Sequence, residues 1–164
     1  MKKTIFFYLL ASLILVQGAA AQKKARLGRV CGDPAAACRV RDQFQPYELP
    51  FDTGRNAVIA ESEYFYAVIV KSVKLADDNN CDKAISDKDI TDTQALFPHS
   101  KVFALKCFEP AMNYYTNVAD NTAFRAVFAG RTKAAANAFL KTLKTKGKYG
   151  DAVLRRMQAG INGT

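Results

Sequence analysis

Ten consecutive residues, Tyr64-Phe-Tyr-Ala-Val-Ile-Val-Lys-Ser-Val73, are aromatic or β-branched almost throughout. Such side chains lose rotamer freedom in a helix and pack well on a pleated surface. The run is too short to cross a bilayer as a helix, which takes about 20 residues. It reads as a buried strand, and a buried strand needs paired neighbours and covering layers.

The elements that follow can be read by the same rules. Asp77-Asp-Asn-Asn80 is turn material. Ser86 can cap a helix with Asp87 and Asp89 in its first turn, and Pro98 ends it. Lys101 to Phe108 alternates as a second strand, and Thr122 to Ala129 is a third, closed by Gly130. Between them, Glu109 to Asn121 reads as a loop. Thr132 caps the clearest helix, with Ala135, Ala136, Phe139, Leu140 and Leu143 on one face and Gly147 at its end. Asp151 to Met157 is a short last strand. The order β-α-β-β-α-β predicts an α+β fold with one four-stranded sheet and both helices on one of its faces. In each half the two strands run parallel around a right-handed crossover. The other face is left open or is covered by residues 22–63. Pro34, Pro46, Pro50 and Gly54 mark those residues as an irregular N-terminal extension, opened by a basic arm of Lys23, Lys24, Arg26 and Arg29.

Composition narrows the class. A chain of 164 residues makes one domain, and 49% hydrophobic residues exclude a disordered one. With one His and no Trp, His-rich metal sites are excluded and a His-based triad is a poor expectation. Met1-Lys2-Lys3, the apolar stretch Ile5 to Val16 and Ala19-Ala20-Ala21 have the three parts of a secretory leader, expected to be cleaved after Ala21. This predicts a bacterial periplasmic or secreted protein with no stable membrane insertion after cleavage. In an oxidising compartment Cys31, Cys38, Cys81 and Cys107 read as disulfides. Four Cys allow three pairings, and Cys31–Cys38 with Cys81–Cys107 is favoured. The Gly-Asp-Pro in the first loop can turn the chain back. The spacings do not suit a structural metal site.

Several residues have both an ordinary and a functional reading. His99 has no Cys or Ser partner in view. Asp77, Asp78, Asp82 and Asp87 lack the Gly and Glu of a calcium loop. Gly28-Arg-Val-Cys-Gly32 lacks the ending of a phosphate loop. The Lys141–Lys148 run is a solvated helix face. A secreted protein seldom meets nucleic acid, so none is expected as a partner. No paired-carboxylate or nucleophile–base constellation is visible, so no enzymatic activity and no cofactor is expected.

Phe124-Arg-Ala-Val-Phe-Ala-Gly130, the Ala134–Leu143 helix and Gly147 resemble the SPOR (sporulation-related) domain family, and Tyr66-Ala-Val-Ile-Val-Lys-Ser-Val73 resembles its first half. The resemblance covers Tyr64 to Gln158. It implies a ferredoxin-like βαββαβ repeat over residues 64–164 that binds peptidoglycan glycan strands stripped of stem peptides on the open sheet face, often at division sites. Carried over by position, Tyr66, Val68, Val70, Phe124, Ala126 and Phe128 face the helices. Ala67, Ile69, Lys71, Arg125 and Val127 face the glycan, with Arg155 or Arg156 beside Arg125. Ile69 and Val127 stand where the family has Gln. Tyr114 and Tyr115 are candidates to stack on sugar rings at the rim. The expected partner is therefore wall glycan. The alternative is a cell-envelope protein bound by the same fold after loss of the sugar site.

Overall fold

The structure, a computed structural model, describes residues 30–31, 35–41, 43–44, 48–53, 58–76, 81–107, 113–145 and 147–162. The expected leader, the basic arm and Asp77–Asn80 lie outside the described residues.

In chain order the elements are β1 (Phe51–Thr53), β2 (Ile59–Ser62), β3 (Phe65–Lys74), α1 (Cys81–Ala84), α2 (Asp87–Leu96), β4 (Val102–Leu105), β5 (Asn113–Tyr115), β6 (Thr122–Gly130), α3 (Lys133–Thr145), β7 (Val153–Met157) and β8 (Ala159–Asn162). The apolar run forms β3. It sits inside a four-stranded sheet of order β4-β6-β3-β7, every pairing antiparallel. β3 and β4 are parallel to each other with β6 between them, and β6 and β7 are parallel with β3 between them. Each β-α-β half is thus split by a strand of the other half.

The two longer helices start where the sequence places their caps. In α2 the Ser86 hydroxyl accepts from the Asp89 N–H at 3.1 Å, and the Ser86 N–H donates to Asp89 Oδ2 at 3.2 Å. This reciprocal pair satisfies two of the amides that a helix start leaves without partners. At the start of α3 the Ala135 N–H donates to Thr132 Oγ1. Gly147, at φ +72°, supplies the left-handed residue beyond its last turn. Ala136 and Leu143 of α3 and Ile90 of α2 bury against Val68, Val102, Ala123 and Val127 of the sheet.

The expectation of a single sheet is corrected. A second antiparallel sheet has the order β1-β2-β8-β5. It draws β1 and β2 from the segment expected to be irregular, β5 from the expected loop, and β8 from beyond the expected last strand. All four of these strands have only three or four residues, and prolines and Gly54 surround the first pair, so no periodicity announces them. Their cause is the other face of the long sheet. That face presents Phe65, Ala67, Ile69, Phe103, Phe124 and Ala126, and Phe44, Leu49, Tyr115 and Ala159 close over it. Left bare, such a face would be a large exposed apolar patch. Phe44 lies 5.0 Å from Phe65 and 4.8 Å from Phe103, ring centre to ring centre.

One ribbon joins the two sheets. β2 runs on into β3 and β7 into β8, with Phe65 opposite Met157 on one side of the corner and Glu61 opposite Gly160 on the other. Gln158 occupies the corner. Its backbone exchanges hydrogen bonds with Thr116, and its side-chain amide donates to the Ser62 carbonyl. Further back, Cys31 and Cys38 are disulfide-bonded as expected, and the Cys38 N–H donates to the Pro98 carbonyl. Cys107 is half-buried, while the Cys81 side chain lies outside the described residues.

Candidate ligand cleft at the uncovered end of the sheet

A β-bulge decides which side chains reach the sheet surface. β3 and β6 pair Val68 with Val127 and Ile69 with Ala126, then slip so that Lys71 pairs with Arg125 and Ser72 with Phe124. Val70 is the extra residue. Paired residues share a face, and one extra residue exchanges the faces beyond it. Lys71, expected to face a ligand, therefore turns to the helix side. Ser72 takes the opposite side. β6 is also inverted with respect to the expectation. Phe124, Ala126 and Phe128 pack between the sheets, while Ala123 and Val127 pack under the helices. Eight of its nine residues are apolar or small, so alternation could not say which face was which.

Val127 is core, fully buried on the helix side. Tyr115 is core between the sheets, 5.1 Å from Phe103. Neither can touch a ligand. Arg125 is also buried and on the helix side. Its Nη1 lies 3.1 Å from Asp89 Oδ1, and Lys71 Nζ lies 3.6 Å from Asp89 Oδ2. The structure thus brings Lys71 and Arg125 together, but on the capping carboxylate of α2 rather than in a groove. Partial burial pushes the Asp89 carboxyl up. The bonds from the Ser86 hydroxyl and backbone, from Arg125, and the charge of Lys71 together outweigh it and bring the group to about 2. The Asp89 side chain keeps the helix start, β3 and β6 joined.

Tyr114 lies on the outer face of the second sheet, in a cross-strand row with Gly160, Glu61 and Asp52. A Cβ on Gly160 would stand 2.1 Å from its ring, so the ring lies directly over the β8 backbone. Its hydroxyl donates to Glu61 Oε1 at 2.7 Å. Burial, then this bond and the Glu61 charge, push the phenol up to about 12. The fold favours the neutral phenol, so the stability it contributes is complete below pH about 10 and lost as pH rises through about 12. Gly160→Ala is expected to push the ring off β8 and lower stability by about 1–3 kcal/mol in urea unfolding. In an ultraviolet titration one of the seven tyrosines moves from about 12 back towards ordinary phenol behaviour. An unchanged titration would show that the ring does not depend on Gly160.

Two clefts flank these elements. The larger, about 630 Å³, runs beside β1 and β2 and is lined by Phe51, Asp52, Ile59, Glu61, Glu63 and Gln158. Three of its polar side chains are already engaged: Glu61 with Tyr114, Gln158 with Ser62, and Glu63 with Arg131. The smaller, about 360 Å³, opens where the second sheet stops covering the first. Ile69, Ser72, Thr122, Val153 and Arg155 line it from one sheet face, and Asn117 lines it from the loop after β5. Two of the expected ligand residues, Ile69 and Arg155, meet here. Arg155 pairs with Ala67 and so faces away from the helices. Its neighbour Arg156 faces the other way, its guanidinium 3.8 Å from the centre of the Tyr64 ring. Arg155 and Arg125 lie on opposite faces, contrary to the expected groove.

The cleft combines an apolar wall with hydrogen-bonding side chains. Its volume falls within the roughly 300–1,000 Å³ of small-ligand pockets. Ile69 and Val153 form an apolar wall, and Val153 is 42% exposed. Asn117 spends its Nδ2 on the Arg156 carbonyl, which leaves its Oδ1 to accept. Thr122 Oγ1 donates to the Asp120 carbonyl and keeps its acceptor capacity. Arg155 makes no ion pair among the described residues. Sequence reasoning missed Ser72, Asn117, Thr122 and Val153. Only the bulge turns Ser72 into this cleft, and no local pattern encodes the bulge. No group of three metal-ligating side chains occurs among the described residues, and no helix among them is long and apolar enough to cross a membrane. Comparison with protein-family models, with curated proteins and with solved structures finds no match.

Proposed function

We propose that this chain is an extracytoplasmic, non-enzymatic module that holds cell-wall glycan strands at the 360 Å³ cleft. The observation that carries the reading is Arg155. It is an arginine without an ion-pair partner among the described residues, set beside two hydroxyls and an apolar wall on the uncovered end of the sheet. Glycan stripped of its peptides offers acetamido carbonyls and carboxylates, which match the guanidinium fork. Ser72, Thr122 and Asn117 suit sugar hydroxyls, and Ile69 and Val153 suit the apolar face of a ring. The leader-like N-terminus and the resemblance of the βαββαβ sequence to peptidoglycan-binding modules support the same reading. The second sheet confines the ligand to one end of the face, so the strand engages over one or two sugars. The larger cleft suits this ligand less, because Asp52, Glu61 and Glu63 would repel a carboxylate.

Co-sedimentation of the leader-free protein with purified peptidoglycan, intact or stripped by an amidase, tests this. The stripped material is expected to bind more tightly and to resist moderate salt. Arg155→Gln is expected to weaken that binding about 10- to 100-fold, the usual cost of a lost charged hydrogen bond. Wild-type binding by the variant, or equal binding to both materials that vanishes with salt, overturns the assignment. Binding to neither material moves the reading to an envelope-protein partner.

A further inference from the structure

Between Asp120 and Asp151 the chain has no acidic residue. Lys133, Lys141 and Lys144 of α3 and Lys148 just beyond it are all exposed. None of the four has a carboxylate within ion-pair distance among the described residues. At 100° per residue the three helical lysines fall within an arc of about 80°, to one side of the buried Ala136 and Leu143. They extend over about 16 Å of the helix, at about 1.5 Å per residue.

Helix stability explains only part of this stripe. Lys141 and Lys144 lie towards the negative end of the helix dipole and are favourable there. Lys133 stands in the first turn, where the dipole opposes a cation, and no acid accompanies it. The opposed charge and the missing carboxylates are better explained by an external anion. The surface is the outer, exposed side of a helix. A flat anionic plane can meet the three helical ammonium groups at once, because they share one arc of the helix. Lysine acts as a hydrated point charge without arginine's fixed bidentate geometry, which suits a diffuse layer of phosphates. The stripe itself is interrupted only by Asn137 and small or polar neighbours, so contact would be peripheral, without insertion.

We infer that the outer side of α3 is an electrostatic docking surface for a bilayer carrying anionic phospholipid headgroups. It lies on the helix layer, on the other side of the sheet from the Arg155 cleft, so the protein can hold a wall ligand and rest on a membrane together.

The test uses leader-free protein and sedimentation with two kinds of vesicle, pure phosphatidylcholine and phosphatidylcholine with about one third phosphatidylglycerol. At low salt, binding is expected to the anionic vesicles only, and 0.5 M salt is expected to abolish it, roughly in step with Debye screening. Each lysine contributes about five-fold to partitioning near such a surface. Lys141→Gln with Lys144→Gln is therefore expected to reduce binding about twenty-fold, and replacement of all four lysines to remove it. Glutamine keeps helix propensity, and circular dichroism checks that the fold is intact. Glycan co-sedimentation of the stripped wall is expected to survive these changes, so failure here is distinguishable from failure of the Arg155 site. Undiminished vesicle binding by the four-lysine variant overturns the inference. So does binding to neutral vesicles, or capture by soluble polyphosphate with none by anionic vesicles.

Discussion

Lys101→Met is expected to lower the unfolding free energy by about 3–5 kcal/mol in urea denaturation at neutral pH. Lys101 immediately precedes β4 and is 1% exposed. Its Nζ lies 3.2 Å from Glu48 Oε1 and 3.1 Å from Oε2, and 5.5 Å from the centre of the Phe44 ring. Glu48 and Phe44 belong to the N-terminal segment, so this buried cation ties that segment to the long sheet. Methionine keeps most of the side-chain volume but leaves the Glu48 carboxylate buried without its ammonium. The penalty is that of an uncompensated charge, not of a cavity. Glu48→Leu added to Lys101→Met removes that buried carboxylate as well, and it is expected to recover most of the loss. If the double variant is as unstable as the single one, the cost lies in packing rather than in charge. A single-variant loss under about 1 kcal/mol would show that the pair is wet and exchangeable, as surface ion pairs are.

The parts of the fold legible in the sequence are those with a strong period or a strong cap. The β3 run, the Ser86 and Thr132 caps and the apolar stripe of α3 lie where the pattern puts them, because each depends on neighbours within a few residues. The covering sheet was not legible. Its strands are short, the first two lie among Pro46, Pro50 and Gly54, and all four exist because a distant apolar face needs a cover. The sequence left the two outcomes for that face open, and Phe44 and Leu49 settle it as covered. The candidate site was legible at Ile69 and Arg155, where simple alternation holds. It failed at Lys71 and Arg125, which a single bulged residue and an inverted strand move to the other side. The bulge has no local pattern in the sequence, and the inverted strand has a separate cause. When both faces of a strand are buried, the two-residue period says that faces exist but not which is inside.

That dependence on a distant cover leads to the largest packing effect. Phe103→Ala is expected to cost about 3–5 kcal/mol, the range for truncating a fully buried phenylalanine. Phe103 lies on β4 with no exposed surface. Its ring centre is 4.8 Å from Phe44, 5.1 Å from Tyr115, 5.9 Å from Phe65 and 6.1 Å from Phe124. It therefore touches the N-terminal segment, the second sheet and two strands of its own sheet. These rings are held by one another and by the ribbon corner, so they cannot collapse freely into the void, which places the cost towards the upper end. Truncating the 44%-exposed Leu96 is expected to change stability by about 0.5 kcal/mol or less. Because Phe103 joins both sheets, its loss should lower one cooperative transition. The near-ultraviolet signal from the tyrosines and the far-ultraviolet backbone signal should still coincide. Separate transitions in the wild-type protein, or a Phe103→Ala cost below about 1.5 kcal/mol, would mean that the second sheet rests on the first without sharing its core. The covered face would then be open to ligand after local release, and Ala67 would return as a candidate contact beside Ile69.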